Sequence, residues 1–439
     1  MILGLAMVLV VAGLGLPFVN GILAEKGFRA LVADLNEMNT DQGTGMTAEI
    51  VEYRRGLWNS EAVWKIDLGP LETVYGIEEI VFDNQARHGY TGVVVTTSLG
   101  RNPWYRQSID RQLAGRDPLA LTSTFHLGGS IQIDVALAPV SLHIDEHRVI
   151  SQSADLLVET DWNLARVTAS GTWQGLRIDD ELAMEGLAFN SDLRPISSFI
   201  WDGGMSVHIG KLSGRDGQNQ VVIDGLRGSY TLKYLREKKT LNLEETYGVG
   251  LFSTTGLQME NGSVTFGVRN LDARAYEEAI KISTGFLGVL FKELDAAGGD
   301  PEKIQTVVER QLNNATLQLL GLAERSLTAG LEIFVSDLHA GLAQGQVQGN
   351  MLLRLDKGLT MARMLPLLHR PEQIFAYIDL SGALRVPAGI VGERSGMLLT
   401  PLAPGRTTGF FVQDGTDLVN TTVTREHRLY INDEQLVFN

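Results

Sequence analysis

The chain has 439 residues, with 37 Lys and Arg against 52 Asp and Glu, giving a formal net charge of −15. That acidity excludes a nucleic-acid binder, which needs a basic face to displace counterions from phosphates. The absence of Cys removes disulfide scaffolds, thiolate metal sites and cysteine nucleophiles together, while 48 Gly suit a sheet protein rich in turns. The first charged side chain is Glu25, and MILGLAMVLVVAGLGLPFV before it approaches the ~20 apolar residues that span a bilayer as a helix. A cleavable signal peptide expects a basic start and a small-residue cleavage site, and neither stands before Glu25. Residues 1–22 are therefore expected to be a transmembrane anchor, kinked or ended near Pro17. Lys26 and Arg29 follow it, and so few charges leave orientation unset.

Residues 23–40 carry Phe28, Leu31, Val32 and Leu35 on one helical stripe, a juxtamembrane helix. From residue 41 to 270 the period becomes two. Ala62, Trp64, Ile66 and Leu68 share one face of a strand that pairs with TAEIVEY through a turn at RGLWN. Ile131, Ile133 and Val135, then Val167, Ala169 and Trp173, then Val264, Phe266 and Val268 repeat the pattern. Turns are expected at Gly128-Gly129, Asp202-Gly203-Gly204, Asp216-Gly217 and Asn261-Gly262. Alternation of this kind implies an antiparallel sheet with one wet side.

Residues 271–327 break the rule with helical spacing on both sides of AAGGD, where Asp300 and Pro301 open the second helix. Strands return over 328–439, with a short helix near Met361–His369 and a strand in IFAYIDLSGALRV. The expected fold is mainly β with α: a large antiparallel β body carrying an inserted α-helical hairpin, after one N-terminal transmembrane helix.

The segment VEYRRGLWNSEAVWKIDL, through Tyr53, Arg55, Gly56, Leu57, Trp58, Ser60 and Ala62, resembles the signature of the YdgA-like family of Gram-negative envelope proteins of unknown function. HGYTG, GRDPLALTSTFHLGGSI and REHRLYINDEQL resemble later elements of that family in order, with Tyr90 for its usual Pro and Asp433 for its Gly. The resemblance implies an inner-membrane anchor with the body in the periplasm, and no catalytic residues.

Few residues offer chemistry. His143, Asp145 and His147 alternate as on one strand face, a set that suits zinc or, equally, a solvated face opposite Leu142 and Ile144. The Tyr53–Trp58 turn reads as an Arg grip on an anion or as an Arg stacked on Trp58 to fix the hairpin. Asp179-Asp180-Glu181 lacks calcium-loop spacing and reads as a solvated turn. Phosphate-loop, nucleophile-elbow and zincin signatures are missing, and no cofactor is expected. The sequence thus points to a membrane-anchored, non-enzymatic module. It would bind an apolar ligand such as lipid, or another envelope protein, with Phe286, Leu290, Phe291 and Leu294 as groove or lid. A structural or assembly subunit, including a homo-oligomer, is the alternative.

Overall fold

The computed structural model describes residues 2–42, 44–69, 72, 77–144, 147–216, 219–283, 306–307, 310, 322, 324–367, 369–391 and 409–436. Antiparallel sheet dominates, with a few helices. The chain divides into two units. The first holds Met1–Asp179, Ala188–Trp201 and Ile280–Leu317; the second holds Asp180–Leu187, Asp202–Ala279 and Gln318–Asn439.

The first unit opens with one helix, α1 (Ile2–Gln42), which runs unbroken through Pro17. Anchor and juxtamembrane helix are therefore one element, and Pro17 does not end it. Pro17 is buried, and the helix continues across its missing N–H. Among the described residues no helix is long and apolar enough to cross a membrane.

Then come β1 (Thr47–Arg55), β2 (Asn59–Asp67), β3 (Glu79–His88), β4 (Gly92–Leu99), β5 (Leu119–His126) and β6 (Ser130–Leu137). They are followed by β7 (Val140–Ile144), β8 (His147–Ser151), β9 (Ala154–Asp161) and β10 (Val167–Ile178). The pairing order is β1-β2-β3-β4-β5-β6-β9-β10, and the β7–β8 hairpin joins β10 through β8. The expected β1–β2 hairpin is present, with a bulge at Ile50/Glu52 that resets the register ahead of Tyr53. Strand β11 (Leu182–Pro195) carries the chain onward.

The second unit pairs β12 (Trp201–Asp216), β13 (Asn219–Leu235), β14 (Thr240–Thr254), β15 (Leu257–Asp272), β16 (Glu332–Leu342), β17 (Gly345–Leu355) and β18 (Ile378–Pro387) in chain order. Strand β18 pairs with β20 (Asp417–Arg425), which also holds β19 (Val412–Asp414) and β21 (Arg428–Ile431); β22 (Glu434–Gln435) closes on β21. Two turn expectations fail here. Gly203 and Gly204 lie inside β12, paired with Leu232 and Thr231. Asn261-Gly262 is a bulge within β15, with Asn261 in the left-handed region at φ 50°. Asp216 ends β12 as expected, and Gly217 lies outside the described residues. The short helix spans Met361–Leu367. The start of IFAYIDLSGALRV is a 3₁₀ turn, Pro371–Ala376, because Pro371 starts a helical turn ahead of β18.

Residues 273–283 are helical, as are 306–307, 310, 322 and 324–326; the rest of the expected α-hairpin lies outside the described residues. The core of this unit gathers Leu331, Leu355 and Leu359 with Val268, Leu271, Ile374 and Tyr377. Leu232 and Leu241 are sealed on neighbouring strands. Leu241→Ala should cost about 2–5 kcal/mol through the cavity it leaves. Urea unfolding should show a lower midpoint at unchanged slope.

Candidate functional site

Helix α1 lies on the β1–β3 face, and the signature residues make the contact. Along the helix Pro17, Gly21, Phe28, Val32 and Asn36 recur at helical spacing and turn toward the sheet. Phe28 packs edge-on to Trp64 at 6.0 Å and tilted to Tyr53 at 6.4 Å, and Trp64 stacks on Phe82 at 4.7 Å. Such aromatic contacts supply much of the burial energy. Ala48 and Ala62 are buried beneath the helix, where small side chains let it approach.

Polar groups fix where the helix sits. Asn36 Nδ2 donates to the Ala48 carbonyl at 2.8 Å, and its Oδ1 accepts from the Ala48 N–H at 2.7 Å. Glu25 receives Arg55 at 2.9 Å and Arg29 at 3.1 Å. The Arg55 guanidinium lies over the Phe18 ring and that of Arg29 over Tyr53. Arg55 therefore grips the helix, and Trp58 meets Tyr90 edge-on at 6.3 Å instead of an arginine. Leu57 and Trp58 are exposed at the turn. Gly56 is needed there because a Cβ would come within 2.7 Å of Asn59 Oδ1 and 2.9 Å of its carbonyl oxygen.

At the centre Ser60 and His88, 3% and 2% exposed, share a hydrogen bond of 2.9 Å from Oγ to Nε2. Nδ1 faces the Leu57 carbonyl at 3.4 Å, so Nδ1 carries the proton and Nε2 accepts from Ser60. Burial raises the Tyr53 phenol above its ordinary value. Burial likewise pushes the His88 imidazole below its usual 6.5, with Arg55 adding to the effect. A Ser–His pair is the geometry of an activated nucleophile. Here neither side chain is open to a substrate, and the pair holds α1. Gly21 makes this contact close: a Cβ there would lie 2.4 Å from His88 Cε1.

The adjacent stripe of α1 stays uncovered. Asn20, Leu23, Ala24, Gly27, Leu31 and Asp34 form one wall of a cleft of about 150 Å³. Val93, Phe125, Leu127, Ile131, Trp162 and Leu164 form the other. Leu31, Leu127 and Trp162 are 50%, 47% and 43% exposed, so large apolar side chains converge on open space. Sequence periodicity found Leu31 but not the cleft, because Trp162 and Leu164 sit in the β9–β10 turn, far away in the chain.

Residues 1–395 match a family described as bacterial protein of unknown function, DUF945. The chain belongs to the DUF945 family. Comparison with curated proteins and with solved structures returns no match.

Elsewhere in this DUF945 protein the sequence candidates disperse. His143 lies one residue before the end of β7, opposite Arg148, and His147 opens β8 opposite Ile144, so the two do not share one face of the hairpin. Asp145 lies outside the described residues. His147 Nδ1 meets Asp179 Oδ2 at 2.8 Å, and a bond from the Arg148 N–H holds the Asp179 carboxyl below the usual carboxylate range. Among the described residues no group of three or more His, Asp or Glu could hold a metal. Phe286, Leu290, Phe291 and Leu294 also lie outside the described residues.

Two glycines of one helix should respond oppositely. Gly21→Ala should lose about 1–3 kcal/mol by overpacking His88. Gly27→Ala, with nothing within 4 Å of the new Cβ, should gain about 0.5–1 kcal/mol of helix stability; calorimetry of both variants checks this. His88 also predicts a pH dependence. Its folded pKa lies below the unfolded 6.5, so the unfolded chain binds the extra proton between the two values. Its contribution is complete above 6.5 and is lost as pH falls through the folded value. Melting temperature should drop on acidification from pH 7 to 5, and His88→Gln should flatten that drop.

Proposed function

We propose that the protein is a membrane-anchored, non-enzymatic module of the Gram-negative cell envelope that binds an apolar ligand, such as lipid, beside α1. The observation that carries this reading is the cleft: Leu23, Leu31, Leu127, Trp162 and Leu164 remain exposed around one cavity instead of closing it. A fold with no use for that surface would be more stable with it buried. The uncharged stretch up to Ala24 supports the anchor, and the resemblance of residues 51–68 to YdgA-like proteins supports an inner-membrane site with a periplasmic body.

A second reading, an assembly subunit, draws on the sheet of the second unit. There Met205, Tyr230, Glu245, Phe266, Val335 and Met351 stand opposite one another across six strands. Met205, Phe266 and Met351 are exposed, as are Val207, Tyr247 and Ile333 on the same face.

Native mass spectrometry of the gently extracted full chain separates the two. Copurifying lipid that is lost in Leu31→Asp and Trp162→Asp supports the binding module. A lipid-free oligomer that is unchanged in those variants and dissociates in Phe266→Asp overturns it in favour of assembly.

A further inference from the structure

The two ends of the first unit's sheet differ in chemistry. Strands β1, β3, β5 and β9 all run toward one end, so their reversals into β2, β4, β6 and β10 stand there side by side. Backbone bonds tie these turns to one another. The His88 N–H donates to the Trp58 carbonyl at 2.8 Å, that of Leu127 to Thr91 at 2.9 Å, and that of Trp162 to Gly129 at 2.9 Å. The four turns therefore form one continuous rim, and each lifts large apolar side chains out of it. Leu57 and Trp58 come from the first turn, Tyr90 from the second, Leu127 from the third, and Trp162 and Leu164 from the fourth. All six are between 38% and 55% exposed.

Charge is sorted the other way. Within the turns, residues 56–58, 89–91, 127–129 and 162–166, the one charged side chain is Arg166, and Asp192 takes it up at 2.7 Å. At the opposite end the β4–β5 connection alone carries Arg101, Arg106, Asp110, Arg111, Arg116 and Asp117. Turn tips are ordinarily the polar part of a sheet. Here they hold two Trp and a Tyr, whose rings join an apolar body to a polar edge and collect at the level of lipid headgroups. Helix α1 passes the rim at this end, since Asn20 bonds Gly89 in the second turn while Asn36 bonds Ala48 at the far end of β1. Phe18 and Val19 are exposed beside it, and no residue before Glu25 is charged. A protein partner would call for polar groups ringing a buried centre. A bilayer interface calls for none, and a row of separate anchors one turn deep suits its plane.

We propose that this rim seats the first unit on a membrane: Leu57, Trp58, Tyr90, Leu127, Trp162 and Leu164 dip into the headgroup layer of a lipid bilayer, with the sheet end-on to it. The inference rests on the membrane-bound part of the proposed reading and is independent of what the cleft binds. Because the tips are uncharged, seating follows burial of apolar surface and needs no anionic lipid.

The test exploits a chain without Cys. Leu57→Cys and Tyr90→Cys lie on the rim outside the cleft lining, and Arg116→Cys lies at the far end. Each full-length variant carries one NBD fluorophore and is reconstituted into phosphatidylcholine vesicles with or without bromine on the acyl chains. Emission from both rim labels should shift to the blue and be quenched by brominated lipid, to the same extent when phosphatidylglycerol is added. The Arg116→Cys label should do neither. Trp58→Ser should weaken quenching of the Tyr90→Cys label at an unchanged melting temperature. Rim labels that stay aqueous on chains that float with the vesicles overturn the rim inference and leave the anchor standing. A blue shift without bromine quenching marks a protein partner on the rim and overturns it too, as does equal quenching of the Arg116→Cys label. Chains that fail to float with the vesicles overturn the inference and the membrane-anchored reading together.

Discussion

A helix laid on a sheet by apolar contact alone can slide and turn, because dispersion and burial carry no direction. In this protein the docking of α1 is pinned by directional bonds at both ends of the contact. Asn20 reaches the Gly89 carbonyl at one end, and Asn36 makes a pair of bonds to Ala48 at the other. Between them Gly21 admits the His88 ring, and Glu25 takes both arginines. Phe28, Trp64 and Phe82 then supply the burial. The bonds decide rotation about the helix axis. Once that rotation is set, the next stripe of α1 has no strand under it, and the cleft is the result.

The same division of labour explains the signature around residues 51–68. Arg55 and Ser60 face the helix with Tyr53 and Ala62, while Gly56 closes the turn that brings the two strands together. Each residue type answers a local requirement. A small side chain lies under a helix, a hydroxyl meets a buried imidazole, and a guanidinium crosses to a carboxylate.

Much of this was legible in the chain. Period-two runs gave the strands, and the spacing of Phe28, Leu31, Val32 and Leu35 gave the helix, because each pattern reports one element against one face. What escaped depends on partners distant in sequence. Pro17 reads as a break, yet the helix runs through it. Gly203-Gly204 and Asn261-Gly262 read as turns, yet long neighbouring strands keep them in the sheet. His143 and His147 read as one face, yet a reversal falls between them. The cleft was invisible for the same reason: its walls come from residues 20–34, 92–93, 125–131 and 162–164. The Asn20 amide is a lone polar residue in an apolar run, and only its burial gives it meaning.

The length of chain between α1 and its receptor also sets a schedule for synthesis. Asn20 and the Gly89 carbonyl are separated by 69 residues, and Ser60 waits 28 residues for His88. At ribosomal speeds of about 5–20 residues per second, Asn20 is made roughly 3–14 s before its carbonyl partner exists. Phe28 can meet Tyr53 and Trp64 once the β1–β2 hairpin is made, but the cleft wall at Val93, Phe125 and Trp162 comes later. Folding of this unit is thus a race between translation of β1–β4 and the exposure of the helix that came first.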